Sequence, residues 1–382
     1  MLVRLFILLS IATIALPASA ASQPEDRQQQ VFLQKSAKPA KLQKGRKSKE
    51  KKEQADRYKR VSNQWDAEIY LKEQGIHPNQ YDKELVKRLE AGDCMTAAAL
   101  INAGARLNAA GDEKKPFLLA AEFGDEQLLR LMVKKGVDIN CIDRQPNGIR
   151  IDVGNTAPFM AARGNKVKNL RYLDSIGLSC LSRSKDGQQA NSVLGMAAEH
   201  GSLDCVKYIL RQGGDPHETY FGNMNLMIKA AGSGNLELVK YLDSLGVDIH
   251  RVCSVFGTDV LGRAAMRKAF KGGDDSIMQY FLKRGVNAEK NLGMAGLRAF
   301  HFVVQSCTVE TVKLMEQQGV NLNMMNNDKK HALHEAAQAC NAEVVEYLCK
   351  KGYRIDNIDR IRFWKGKTNT EEIMTILKKY HR

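Results

Sequence analysis

Aromatic side chains are scarce in this 382-residue chain, at 7% of residues with only two tryptophans. Few large rings are available to fill a core, so the core must close on aliphatic and small side chains, which suits helices packed at short range. Proline is rare too, eight in all, so long stretches stay open to uninterrupted helix. Beyond residue 16 no apolar run approaches the about 20 residues of a membrane-spanning helix, which excludes a multi-span membrane protein. Missing as well are G-x-x-x-x-G-K-[ST], G-x-G-x-x-G, G-x-S-x-G and H-E-x-x-H, the signatures of phosphate, dinucleotide, acyl-transfer and zinc-protease chemistry. No paired acid and base or activated nucleophile stands in for them. An enzyme is therefore not expected, and no cofactor or metal is implied.

Positive charge, by contrast, is abundant: 58 Lys and Arg against 43 Asp and Glu, a net +15. More than half of the excess lies in residues 21–60, which hold thirteen Lys/Arg and five Asp/Glu. This Gln-, Ser- and Lys-rich stretch has too few apolar residues to bury, so residues 21–56 read as a disordered basic linker. Such a tail suits weak contact with an anionic surface. No aromatic residues alternate with its lysines as in single-strand platforms, so no specific nucleic acid is expected. Ahead of it, Arg4, the apolar run Leu5 to Leu16, Pro17 and Ala18-Ser19-Ala20 have the order of a secretory signal peptide, residues 1–20, cleaved after Ala20. The expectation is export to the periplasm or beyond the cell.

Along the rest of the chain one landmark recurs: a helix that stops at glycine before a short extended stretch. The landmark glycines are Gly104, Gly136, Gly177, Gly213, Gly246, Gly285, Gly319 and Gly352, with spacings of 32 to 41 residues that point to a repeat architecture. Four residues before each stand Leu100, Met132, Leu173, Ile209, Leu242, Phe281, Met315 and Leu348. Seven before stand Ala97, Leu129, Leu170, Val206, Val239, Met278, Val312 and Val345. A three-residue offset puts both sets on one helix face, which must be buried. Twelve before come Gly92, Gly124, Asn165, Gly201, Gly234, Gly273, Cys307 and Cys340. That position predicts a left-handed turn between two helices, which cysteine fits poorly, so the last two turns are expected to be built differently. Small pairs, among them Ala120-Ala121, Ala161-Ala162, Ala197-Ala198, Ala230-Ala231 and Ala336-Ala337, let the two helices of a unit approach closely. The pair weakens to Ala269-Phe270 and Val303-Val304 in two units.

With these motifs together the chain resembles the ankyrin repeat family. His331-Ala332-Leu333-His334-Glu335-Ala336-Ala337 resembles its T-P-L-H-x-A-A core, and Thr156 to Ala162 is a poorer copy. Gly136 to Asn140 and Gly246 to His250 resemble its G-A-D-V-N tail. The resemblance covers residues 81–382. It implies an all-α solenoid of paired antiparallel helices with hairpin loops, in about eight repeats over 81–360. Helical caps are expected at 57–80, with an apolar stripe of Tyr58, Val61, Trp65 and Ile69, and at 361–382, opened by a Thr368-x-x-Glu371 capping box.

Three side-chain sets invite functional readings. His331, His334 and Glu335 lack further ligands at metal spacing, and in this register His334 is the family's structural histidine. Tyr172, Tyr208, Tyr241, Tyr280 and Tyr347 share one position, five before the landmark. An amphipathic ring there packs half-buried with its hydroxyl wet. The eight cysteines read mostly as buried free thiols. Cys141, Cys180 and Cys253, in irregular hairpin regions, are candidates for one or two bridges.

The resemblance implies a protein partner held by hairpin tips and first helices, and a monomer is expected. The insertions and one atypical tip supply the candidate contact residues: Arg144, Asn147 and Arg150 in Cys141 to Asn155, Phe256 in Arg251 to Thr258, and Tyr220 and Phe221 after Gly213. Arginines and aromatics are the residue types that anchor interfaces. The functions implied are those of exported bacterial ankyrin-like proteins: immunity against a delivered toxin, or support of periplasmic enzymes or stress defence. The alternative is a secreted effector that binds a host protein or an anionic surface through repeats and basic tail.

Overall fold

The computed structural model describes residues 58–108, 115–142, 156–184, 191–253, 257–292, 296–366 and 368–380. The expected signal peptide and linker lie outside them. The described residues fall into two compact bodies, 58–107 and 108–380.

The first body holds α1 (Gln64–Glu73), α2 (Tyr81–Glu90) and α3 (Cys94–Asn102). Helix α1 starts where Asn63 accepts the Asp66 N–H, a side-chain cap. It buries Ala67 and Leu71, while Trp65 is 72% and Ile69 45% exposed. This corrects the expected stripe. At about 100° per residue, positions two apart face nearly opposite ways, and the small Ala67 suits the face laid on alanine-rich α3. Below α1, Asn102 Nδ2 donates to Val61 O at 2.7 Å, so Val61 is buried as expected.

The second body repeats one helix–turn–helix theme. Its pairs are α4 (Pro116–Phe123) with α5 (Glu126–Lys134), α6 (Ala157–Arg163) with α7 (Val167–Ser175), and α8 (Val193–Glu199) with α9 (Leu203–Arg211). A two-stranded hairpin follows, β1 (Thr219–Tyr220) against β2 (Met224–Asn225), antiparallel with Tyr220 opposite Met224. Then come α10 (Leu226–Ala231) with α11 (Leu236–Ser244), α12 (Val260–Lys271) with α13 (Ser276–Lys283), α14 (Ala299–Val303) with α15 (Val309–Gln317), and α16 (Ala332–Gln338) with α17 (Ala342–Lys350). Helix α18 (Thr370–Tyr380) closes the body against α17. First helices pack on neighbouring first helices and second on second.

Every residue of the two apolar registers, Leu100 to Leu348 and Ala97 to Val345, is at most 1% exposed. The five alanine pairs are fully buried. Burial of this kind is worth about 25 cal/mol per Å² of apolar surface, so the registered positions contribute directly to the fold's stability.

The turns behave less uniformly than the sequence pattern. Cys340 adopts the left-handed region at φ 59°, so the last turn copies the glycine turns. Asn369 Nδ2 then donates to Cys340 O at 3.1 Å. Of the last two turns only the one at Cys307 is rebuilt. There Thr308, from its N–H and hydroxyl, and Thr311 donate to the buried Asp275 carboxylate at 2.6–2.7 Å, which also pairs with Lys268. Burial opposes ionisation of Asp275, but these donors hold its carboxyl below the ordinary range. Gly124 is no left-handed turn either, at φ −77° and ψ −166°. Helix α18 begins at Thr370, after Asn369, so the expected Thr368 box does not open it.

All eight cysteines remain thiols, and six of them are buried. The bridges considered for Cys141, Cys180 and Cys253 are not formed. Among the described residues no helix is long and apolar enough to cross a membrane.

Candidate partner-binding face

The first helices of the second body carry a row of polar side chains beside the apolar core. Fourteen residues before their landmarks stand Glu122, Arg163 and Glu199. Arg163 Nε reaches Glu122 Oε1 at 3.0 Å, across adjacent first helices. Glu199 is gripped from the next two repeats, by Lys229 Nζ at 2.9 Å and Arg263 Nη2 at 3.6 Å. Burial works against its ionisation, but those two cations outweigh it and lower its carboxyl below the ordinary value. Further along, Gln305 Nε2 and Asn326 Nδ2 donate to Glu335 at 2.9 and 3.2 Å. Here burial wins and raises the carboxyl. Glu122 and Lys229 are the buried members of their pairs, so these contacts tie neighbouring first helices together, while Arg163, Glu199 and Gln305 remain part-exposed along the row.

At the β1–β2 tip a polar cluster is sealed in. Ser192 caps α8 by accepting the Gly195 N–H at 2.8 Å, and its hydroxyl donates to Glu218 Oε1 at 2.5 Å. Tyr220 Oη also donates to Glu218. Arg183 Nη1 closes the far side of Glu218 at 2.7 Å. The Tyr220 ring is 8% exposed with Lys229 Nζ 4.7 Å from its centroid, a cation–π contact. Burial first, then the Glu218 charge, raises the Tyr220 hydroxyl well above its usual range. With the serine engaged as a helix cap, the cluster locks the tip.

Of the expected contact residues, Tyr220 and Phe221 fall among the described residues. Tyr220 is buried, so the exposure expected for it is not found, because its hydroxyl is the partner that the Glu218 carboxylate needs. Phe221, one residue on, is half-buried. Arg144, Asn147, Arg150 and Phe256 lie outside the described residues. The exposed apolar side chains are others: Phe270 at 63%, Met325 at 56% and Leu181 at 47%, besides Trp65 and Ile69 in the first body. The small pair of this repeat is Ala264-Ala265, 6% and 1% exposed, so the expected weakened pair Ala269-Phe270 is corrected: it lies about one turn beyond, on an extension of the helix.

The histidines are structural. His301 Nδ1 accepts the Arg298 N–H at 3.0 Å and Nε2 donates to Lys330 O at 3.3 Å, so it bridges to the next hairpin. His331 Nε2 does the same to Arg354 O at 2.9 Å. Burial, then the neighbouring His331 and Lys330 charges, pushes His334 down to about 4. No cluster of three or more metal-ligating side chains occurs among the described residues.

Comparison with known proteins agrees with this geometry. A family model described as ankyrin repeats matches three times, over residues 159–253, 194–291 and 261–359. The chain is similar to the Notch-regulated ankyrin repeat-containing protein of Xenopus tropicalis, 32% identical over 102 residues, covering 26% of this chain and 86% of that one. It is also similar to alpha-latrocrustotoxin-Lt1a of Latrodectus tredecimguttatus, 28% identical over 182 residues. That match covers 42% of this chain but only 12% of the toxin's length. Among solved structures, the human ASB11 ankyrin repeat domain aligns with a TM-score of 0.45 at 17% identity, over 69% of this chain and 98% of that one. Repeats of this kind generally mediate protein–protein interaction and are typically not enzymes.

Proposed function

This chain belongs to the ankyrin repeat family, and on that premise we propose that it is an exported scaffold which holds one protein partner against its first helices and hairpin tips. The observation that carries the reading is the first-helix row whose part-exposed members Arg163, Glu199 and Gln305 present charge and hydrogen-bonding groups along neighbouring repeats. Solenoid repeats use such continuous faces for binding. Export is supported by the apolar run Leu5 to Leu16 and Ala18-Ser19-Ala20. It is compatible with eight cysteines because most of them are buried as thiols. In that setting the partner is a delivered toxin, which makes the chain an immunity protein, or an envelope enzyme that it supports under stress.

The test is affinity capture from native envelope extract with the full mature chain and with a version lacking residues 21–60. Recovery of one stoichiometric protein by both versions supports the scaffold, and that protein's identity separates immunity from enzyme support. Recovery of anionic lipid or polymer alone, lost with the basic stretch, overturns it.

A further inference from the structure

Helix α12 departs from its siblings in length. It runs for twelve residues, where the other first helices of the second body run for five to eight. The extra turn cannot pack between neighbours that are shorter, and it stands out beyond them. Its residues 268–271 are Lys268, Ala269, Phe270 and Lys271, with Ala269, Phe270 and Lys271 exposed.

The helix carries Arg263, Arg267, Lys268 and Lys271 and no acidic residue. Arg263, Arg267 and Lys271 are four apart and line one stripe, and Met266 and Phe270 form the stripe beside it. Two of the cations are already engaged: Arg263 with Glu199 and Lys268 with Asp275. Arg267 Nη1 donates to Gly272 O at 2.7 Å, and among the described residues no carboxylate pairs with Arg267 or Lys271. What α12 leaves over is a 63% exposed phenyl ring flanked by uncompensated cations. Aromatic side chains and arginine are the residue types that become binding anchors once a partner desolvates them, and Phe270 stands exposed beside Arg267.

We propose that the protruding end of α12, with Arg267, Phe270 and Lys271, docks an acidic segment of a partner protein. An apolar side chain of that segment covers Phe270, and its carboxylates face Arg267 and Lys271. The proposal rests on the reading of the chain as a partner-binding scaffold and names the chemistry of what is bound.

The probe is a fluorescein-labelled helical peptide with a leucine stripe flanked by glutamates, titrated into the full mature chain and followed by anisotropy. The expected result is salt-sensitive binding that is lost when glutamine replaces glutamate in the peptide. Phe270→Ala, and Arg267→Glu combined with Lys271→Glu, weaken it by about tenfold or more. Lys134→Glu with Lys283→Glu, the same change of charge on exposed second-helix sites, leaves it intact. Thermal unfolding of each variant is followed in parallel, so that misfolding is seen as such. Equal binding by all variants overturns the proposal, as does binding of phosphatidylglycerol vesicles without binding of the peptide. The α12 variants are also carried through the envelope capture. A partner retained undiminished overturns the α12 site alone, whereas the absence of any partner for the unaltered chain overturns the scaffold reading.

Discussion

The hydroxyl of Tyr208 donates to the carboxylate of Asp174 at 2.8 Å, from one second helix to the preceding one. Tyr280 to Asp243 and Tyr347 to Glu316 repeat the contact, both at 2.5 Å. Each acid stands three residues before its own landmark glycine and each tyrosine five before the next. Cations from the preceding helix cover rings of the same register: Arg130 lies 4.2 Å from the Tyr172 centroid, Arg171 5.4 Å from Tyr208 and Lys207 5.2 Å from Tyr241. The tyrosine register is thus a ladder that ties repeat to repeat. A double-mutant cycle with Tyr208→Phe and Asp174→Asn is expected to give a coupling energy of about 1 kcal/mol in urea unfolding. Strict additivity would show that the contact is idle.

Glycine at position 195 is predicted to be indispensable although it lies in a helix. Alanine ordinarily stabilises a helix interior by about 0.5–1 kcal/mol over glycine. Here an added Cβ would sit 2.6 Å from Tyr220 Oη and 2.7 Å from its Cε1, so the sealed tip must open. Gly195→Ala should destabilise by about 1–3 kcal/mol, and Tyr220→Leu should restore part of the loss. A more stable Gly195→Ala chain would refute the close approach.

Asp259 should make the fold pH-sensitive. It caps α12 through Oδ1, which accepts the Gly262 N–H at 2.9 Å, but its buried Oδ2 has no hydrogen-bond partner among the described residues. Burial raises its carboxyl to about 6, against the backbone N–H groups and the Lys290 charge that favour the ion. The folded chain therefore holds this proton to higher pH than the unfolded chain does. Its stabilising contribution is complete below the ordinary aspartate range and is lost as pH rises through about 6. The substitution Asp259→Asn keeps the capping oxygen and removes the charge. The variant should be more stable than the parent by ~1–3 kcal/mol at pH 7.5, with the gap closing toward pH 4.5. Urea midpoints at the two values check this, and a gap that is constant or grows in acid contradicts it.

The thiols should be inert in the folded chain. Burial pushes Cys141, Cys180 and Cys205 up to about 12 and Cys307 higher still, and the neutral thiol is a poor nucleophile. Alkylation without reductant is expected to modify all eight cysteines in urea and few in the native state, with the half-buried Cys94 reacting first. Loss of two modifiable sites in urea would reveal a bridge.

Much of this fold was legible because repetition averages out local ambiguity. A single Leu173 or Val206 says little, but sixteen apolar residues in two registers specify which helix face is buried. Where repetition stopped, so did legibility. Trp65 and Ile69 had no sibling helix to set their register, and the smaller Ala67 and Leu71 took the buried side. Cys340 takes the left-handed turn against its intrinsic preference, and the Asn369 amide, far along the chain, holds that turn's carbonyl. The candidate site was read least well. Tyr220 looked exposed by its place at a hairpin tip, yet the cluster that Glu218 forms with Ser192, distant in sequence, draws it inward. Phe270 was not legible, since the buried pair is Ala264-Ala265 and the length of α12 that exposes Phe270 depends on where Gly272 ends the helix.

The central claim is that a protein partner is held on the first-helix face. Its most direct test is photocrosslinking in the producing cells, with a benzophenone side chain placed singly at Arg163, Phe270 and Gln305 on the first-helix side and at Lys134, Lys283 and Lys350 on second helices. The account predicts one crosslinked protein from the first set and none from the second. Crosslinks from the second helices alone, or none from either set, would contradict it.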